Sequence, residues 1–139
     1  MAIQYTTTLR NARLDAVETN VGTAPLLNLY NGTKPALPTT GLSGNTLLAQ
    51  GTLPSDWLAA ASGGTKAKAG SWTLTGQSGA GSGTAATFFR IYDSAGTTCY
   101  IQGTVTAVGG GGDMTLDNNS IANSQSITAN SFTLTEGNQ

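Results

Sequence analysis

The first part of the chain carries the apolar spacing of a helix, and the remainder alternates with a period of two. Residues Thr7 to Val21 contain neither Gly nor Pro, and Gly22 follows them directly. Thr7 or Thr8 can act as the N-cap, and Gly22 is the expected C-terminal glycine. The sequence therefore predicts one N-terminal helix over residues 7–21.

This helix would have a broad apolar surface built from two neighbouring faces. The first face consists of Tyr5, Leu9, Ala12 and Ala16. The second consists of Leu14, Val17 and Val21. We expect the polar residues to face away from both: Asn11, Asp15 and Glu18. We favour a helix that covers one face of a sheet, with docking on a partner chain as the alternative.

After Gly22 the pattern predicts short strands separated by Gly, Pro and Asn turns. They cover residues 25–30, 46–53, 71–75, 85–93, 97–106, 114–117 and 126–136. The clearest hairpin joins residues 85–93 to 97–106 through Asp93–Gly96. We predict a mainly β fold, an antiparallel β-sandwich or jelly-roll-like module with one N-terminal α-helix, or else a small barrel. Residues 1–139 would form one domain, with a helix segment at 1–22 and the sandwich at 23–139.

Composition agrees with this pattern and excludes several partners. Only 9% of the residues are charged, there are 19 Gly and no His, and the net charge is −1. Without a basic patch we expect no nucleic-acid partner, and we place Lys66 and Lys68 in a solvated loop. Residues 1–10 lack the apolar core of a secretion signal, and no run approaches 18 apolar residues, so we expect neither standard secretion nor a membrane partner.

No motif predicts a catalytic, cofactor or metal site. Cys99 is the single cysteine, and we interpret it as a small buried hydrophobe because no adjacent cation would lower the pKa of its thiol. The segment Gly109–Asp117 resembles a calcium-binding repeat, but its glycines are out of register and it occurs once. Asp113 and Asp117 lack an apolar pocket that would tune them as an acid and base pair. We therefore predict no enzyme, no cofactor, no metal site and no small-molecule substrate.

The two tryptophans are the remaining candidates for a binding role, because exposed indoles anchor interfaces and stack on sugars. Trp72 has the alternation of a core strand residue. Trp57 lies in a connection after Pro54 and is the better interface candidate, although we favour the core for both.

Several segments resemble small structural proteins of tailed bacteriophages. They are Thr8–Ala16, Leu27–Ala36, Leu42–Ala49, Leu116–Ala122 and Ser131–Asn138. The resemblance covers nearly the whole chain and implies a virion protein that decorates or cements the outside of the head shell. No catalytic residue is carried over from it.

This resemblance implies partners and a location. The partners would be the major capsid protein and copies of the chain itself, as trimers or dimers, on the capsid surface after synthesis in the host bacterial cytoplasm. The candidate interface residues are Tyr5, Leu9, Arg10, Arg13 and Trp57. The alternative is a receptor- or carbohydrate-binding module of the tail or collar, with Trp57 as a stacking surface.

Overall fold

The computed structural model describes residues 3–137 and begins with the predicted helix. Helix α1 spans Thr7–Val21 and ends at Gly22, which has a φ of 91°. Its N-cap is Thr6, one residue before the expected Thr7 or Thr8, because the Thr6 hydroxyl accepts the Leu9 amide at 3.3 Å. The helix prediction is confirmed and its cap is corrected by one position.

The rest of the described chain is built of strands, with one short 3₁₀ helix at Ser78–Ala80. They are β1 Leu26–Tyr30, β2 Leu47–Thr52, β3 Thr65–Ala67, β4 Thr73–Gly76, β5 Thr84–Ala85, β6 Phe88–Tyr92, β7 Cys99–Ala107, β8 Met114–Leu116, β9 Ser120–Ile121 and β10 Ser126–Thr135. The hairpin of β6 and β7 forms as predicted, with Ile91 opposite Ile101. The short strands β3, β5 and β9 were not expected.

The strands close into a barrel. Its seven members pair in the order β10-β4-β2-β1-β6-β7-β8, and β8 pairs back to β10. Strand β3 is an extra strand on the far part of β10, and β5 and β9 form a small separate sheet. The mainly β fold with one helix is confirmed. The ring of hydrogen bonds does not divide clearly into the two sheets of a sandwich or jelly roll, so a barrel describes it better.

One step of the ring is parallel, although all the others are antiparallel. Strands β7 and β8 run side by side, with Val105 opposite Met114, and only six residues return the chain between them. Parallel neighbours usually need a much longer crossover. Here the glycines allow a close return, because a Cβ on Gly110 or Gly112 would press against Thr106. The Gly109–Gly112 run is therefore explained by the fold.

The barrel interior holds the core. Trp57 and Trp72 are both fully buried, and their ring centroids lie 5.9 Å apart. Phe132 lies 5.2 Å from the Trp72 ring and 5.7 Å from that of Phe89. Large aromatic rings in such tilted and edge contacts contribute more than their buried area alone. The core prediction for both tryptophans is confirmed.

Candidate functional site

The helix docks on the barrel through the polar side chains that were expected to face away. The Asn11 side-chain carbonyl accepts the Gly64 amide at 2.9 Å, and Asp15 accepts the Ala61 amide at 3.2 Å. Glu18 accepts the Leu58 amide at 3.4 Å. These carboxylates and the amide satisfy backbone donors of the segment 58–64, which packs beside β3. The expectation of an outward polar face is wrong, because this face makes the docking contacts.

Lys66 lies at the centre of this contact. Its side chain is only 2% exposed, and its ammonium lies 2.8 Å from Asp15 Oδ1 and 3.0 Å from Glu18 Oε2. Burial works to lower the pKa of Lys66, but the hydrogen bonds with the two carboxylates outweigh it and raise that pKa above its ordinary 10.5. The prediction of a solvated loop at Lys66 is therefore wrong: its partners come from a helix about 50 residues earlier.

Of the two apolar faces, the second contacts the barrel. Leu14 and Val21 are buried, and Val17 packs partly against the core. The first face stays outside: Leu9 is 46% exposed, and Ala12 and Ala16 are exposed as well. The helix thus packs its second apolar face on the barrel and leaves its first apolar face exposed to solvent.

The candidate interface residues take different positions around the start of this helix. Arg10 donates from Nη1 to the Glu136 carbonyl at 3.2 Å, so it ties the helix to the residue that follows β10. Arg13 lies 2.6 Å from Glu136 Oε1 and 5.1 Å from the centre of the Tyr5 ring. Tyr5, Arg10, Arg13 and Glu136 therefore form one cluster, and Leu9 is exposed on the same helix.

Trp57 is not part of that cluster. Its side chain is fully buried, and its indole N–H donates to the Gly22 carbonyl at 3.1 Å. The interface and sugar-stacking prediction for Trp57 is wrong, because the connection that carries it folds under the C-terminal end of the helix. No indole of the chain is exposed, since Trp72 is buried too.

Two grooves border the helix. One, of about 730 Å³, runs along the polar side and is lined by Asp15, Glu18, Asp56 and Lys66 among others. The other, of about 340 Å³, lies between the helix and β7 and is lined by Val17, Val21, Tyr100 and Ile101 together with polar side chains. Tyr100 is 43% exposed there. The second groove extends the exposed apolar surface of the helix onto the barrel.

Asp113 and Asp117, which were considered as a candidate acid and base pair, accept backbone amides instead. Asp113 Oδ2 accepts the Thr104 amide at 2.8 Å, and Asp117 Oδ1 accepts the Thr128 amide at 3.0 Å. Within residues 3–137, no three His, Cys, Asp or Glu side chains are grouped so as to hold a metal ion. Cys99 is partly buried, and burial raises the pKa of its thiol above 9.0 despite the opposing charge of Arg90.

Comparisons with protein-family models, with curated proteins and with solved structures find no match to this chain. No helix in the described part of the chain is long and apolar enough to cross a bilayer.

Proposed function

We propose that the protein is a non-enzymatic structural subunit of a tailed-bacteriophage virion that binds the outside of the head shell and stabilises it. The observation that carries the proposal is the orientation of helix α1. It uses Asn11, Asp15 and Glu18 for docking on its own barrel and leaves the face with Leu9 uncovered. Surface helices usually turn their apolar stripes towards the core, so an uncovered one indicates a contact surface.

The resemblance of the sequence supports the choice of partner. In this proposal the uncovered face contacts the major capsid protein or a neighbouring copy within a dimer or trimer, on the capsid surface, after synthesis in the bacterial cytoplasm. A low density of charge suits such repeated packing, because neighbouring copies repel one another little. The carbohydrate-binding alternative is less favoured, since Trp57 and Trp72 are both buried.

A co-sedimentation experiment tests this function. The purified chain is mixed with expanded phage heads and, separately, with tails, and the bound fraction is measured. We expect saturable binding to heads and greater resistance of the decorated heads to heat. Binding to tails alone, or to neither particle, would overturn the proposal.

Paired variants test the helix face. Leu9→Glu puts a charge on a side chain that is 46% exposed, whereas Val108→Glu does the same at a side chain that is 66% exposed in the β7–β8 loop. We expect both to fold, and Leu9→Glu to weaken head binding about tenfold or more, because a buried unpaired charge is costly. Equal binding by the two variants would place the contact elsewhere.

A further inference from the structure

A row of polar side chains crosses the outer face of the barrel on four neighbouring strands. Gln50, Asn28, Arg90 and Gln102 lie opposite one another on β2, β1, β6 and β7. Gln50 donates to Asn28 at 3.0 Å, and Arg90 Nε donates to Gln102 at 3.1 Å. The row is capped by the loop of residues 33–45, since Gln102 donates to the Pro35 carbonyl at 2.6 Å.

Arg90 is the charged member of this row, and it is almost completely buried. The residue is 3% exposed. Its Nη2 donates to the Thr40 carbonyl at 2.7 Å and the Leu37 carbonyl at 3.4 Å, so it fastens the loop to the barrel. Its Nη1 makes no hydrogen bond with any residue between 3 and 137, and the guanidinium lines an open cleft.

The charge of Arg90 is not neutralised by the described chain. The ion pairs of residues 3–137 involve Arg13 and Lys66, and no carboxylate lies within 4.0 Å of the Arg90 guanidinium. Its hydrogen-bond partners are an amide and two carbonyls. A guanidinium cannot shed its proton, and arginine is almost never fully buried without an opposite charge. Within residues 3–137, the Arg90 charge is therefore buried with neutral partners only.

An open cleft leads to this guanidinium. Its volume is about 340 Å³, and it is lined by Arg90 and, among others, by Thr40, Tyr92, Thr97, Thr98 and Cys99. The Thr97 hydroxyl donates to the Asp93 carboxylate at 2.8 Å, so the hydroxyls of Thr39 and Thr40 are the ones that can join the guanidinium in binding an oxyanion. The cleft has room for a phosphate-sized ion and a share of its water.

We propose that this cleft is a binding site for a small oxyanion, held by the Nη1 edge of the Arg90 guanidinium and by the hydroxyls of Thr39 and Thr40. The bound group is a phosphate, a sulfate or a carboxylate. The site does not depend on the function proposed above, because it lies on β6 and the loop 33–45 and shares no residue with the helix face.

Cys99 provides a direct reporter, because it lines the cleft and is the chain's single cysteine. The rate of its alkylation by iodoacetamide is measured in chloride and in millimolar phosphate, sulfate or acetate at equal ionic strength. An anion on Arg90 cancels a charge that lowers the pKa of the thiol and narrows access to it. We expect alkylation to slow about threefold or more in the anion that binds, and the three salts separate tetrahedral oxyanions from carboxylates.

Two variants with the same change of charge identify the residue responsible. Arg90→Gln should abolish the effect of the oxyanion on alkylation. Lys34→Gln, in the loop of residues 33–45, should leave it unchanged. A response in Arg90→Gln equal to that of the unmodified protein would overturn the site.

A titration of the unmodified protein keeps the proposal testable if Arg90→Gln does not fold. Phosphate is added at constant ionic strength, and amide proton–nitrogen correlation spectra are recorded. We expect saturable shifts at residues 39–41 and 97–99 and none around Glu136. Identical alkylation rates in all salts, or shifts that phosphate and chloride produce equally, would show that the cleft binds no specific anion.

Discussion

Lys66 Nζ lies 2.8 Å from Asp15 Oδ1, which joins the extra strand of the barrel to the N-terminal helix across 51 residues of sequence. The lysine is buried, whereas the aspartate is 54% exposed and Glu18, its second partner, is 23% exposed. The helix therefore supplies the negative charges that make a buried ammonium acceptable in this barrel.

The unequal burial of these partners predicts an unequal response to substitution. Lys66→Met keeps an apolar stem in place and leaves two carboxylates that water can solvate, so we expect it to cost only about 1 kcal/mol of unfolding free energy. The double variant Asp15→Asn/Glu18→Gln leaves the ammonium buried without a charge partner and should cost more. Urea unfolding of both variants measures this order.

Adding Lys66→Met to the double variant provides the control. If the cost comes from the stranded ammonium, the triple variant recovers stability relative to the double variant. A triple variant that is less stable than the double variant would show that the acids act on the helix and not on Lys66.

The same pair predicts how stability depends on pH. The hydrogen bond from Lys66 and that from the Ala61 amide hold the pKa of Asp15 below its ordinary 3.8, so its contribution is present above that value and is lost as pH falls through the folded-state pKa. The pKa of Lys66 is raised, so its contribution is present below 10.5 and is lost as pH rises through the folded-state pKa.

We therefore expect a plateau of stability between these limits, with a decline on either side. Lys66→Met should flatten the alkaline decline and part of the acid one, because both depend on its charge. Urea unfolding followed by tryptophan fluorescence across this pH range is the measurement. An alkaline limb of unchanged slope in Lys66→Met would contradict the assignment.

Trp57 provides a test of the core. Trp57→Ala removes a fully buried indole and should cost about 3–5 kcal/mol, because the barrel cannot collapse into the space. Trp57→Phe keeps most of the volume but leaves the Gly22 carbonyl without its donor, and should cost about 1–3 kcal/mol. Thermal unfolding by circular dichroism checks both values, and a Trp57→Ala protein as stable as the unmodified chain would refute the buried position.

Two glycines form a matched pair for backbone packing. A Cβ on Gly76 would collide with the Ala122 carbonyl oxygen, whereas one on Gly41 would meet nothing within 4 Å. We expect Gly76→Ala to cost about 2 kcal/mol or more, and Gly41→Ala to change stability by less than about 1 kcal/mol, in the stabilising direction. Urea unfolding measures the difference: the midpoint concentration of urea should fall for Gly76→Ala and not for Gly41→Ala, with the dependence of free energy on urea concentration unchanged. Equal midpoints would mean that the turn at Ala122 moves freely.

The sequence predicted those elements whose local signals agree with the fold. Helix α1 lies between a threonine cap and Gly22, and the β6–β7 hairpin has a turn whose Asp93 carboxylate accepts the Thr97 amide at 2.8 Å. In both cases the residues that predict the element lie within it or directly beside it. Closure of the sheet into a ring depends instead on the pairing of β8 with β10 and on the parallel step, which no local pattern specifies.

The docking contacts of the helix were not predicted, because they too join residues that are distant in sequence. Charged side chains are usually solvated, so Lys66, Asp15 and Glu18 were each expected at the surface. Their pairing is visible only in three dimensions. One signal was available: Thr65-Lys66-Ala67-Lys68 alternates like a strand between glycines, and an alternating lysine on an inward position needs acidic partners. Arg90 gave no comparable signal, because the loop that covers it is 50 residues away.

The position of β10 also determines when this protein can fold during synthesis. The strand pairs with β3, β4 and β8, and its far end receives Arg10 and Arg13 through Glu136. A ribosome-bound chain that lacks residues 126–136 therefore has an open ring, an unfastened helix and unpaired strand edges. Such edges favour pairing with other chains, so the nascent chain is most vulnerable to aggregation until residues 126–136 leave the exit tunnel.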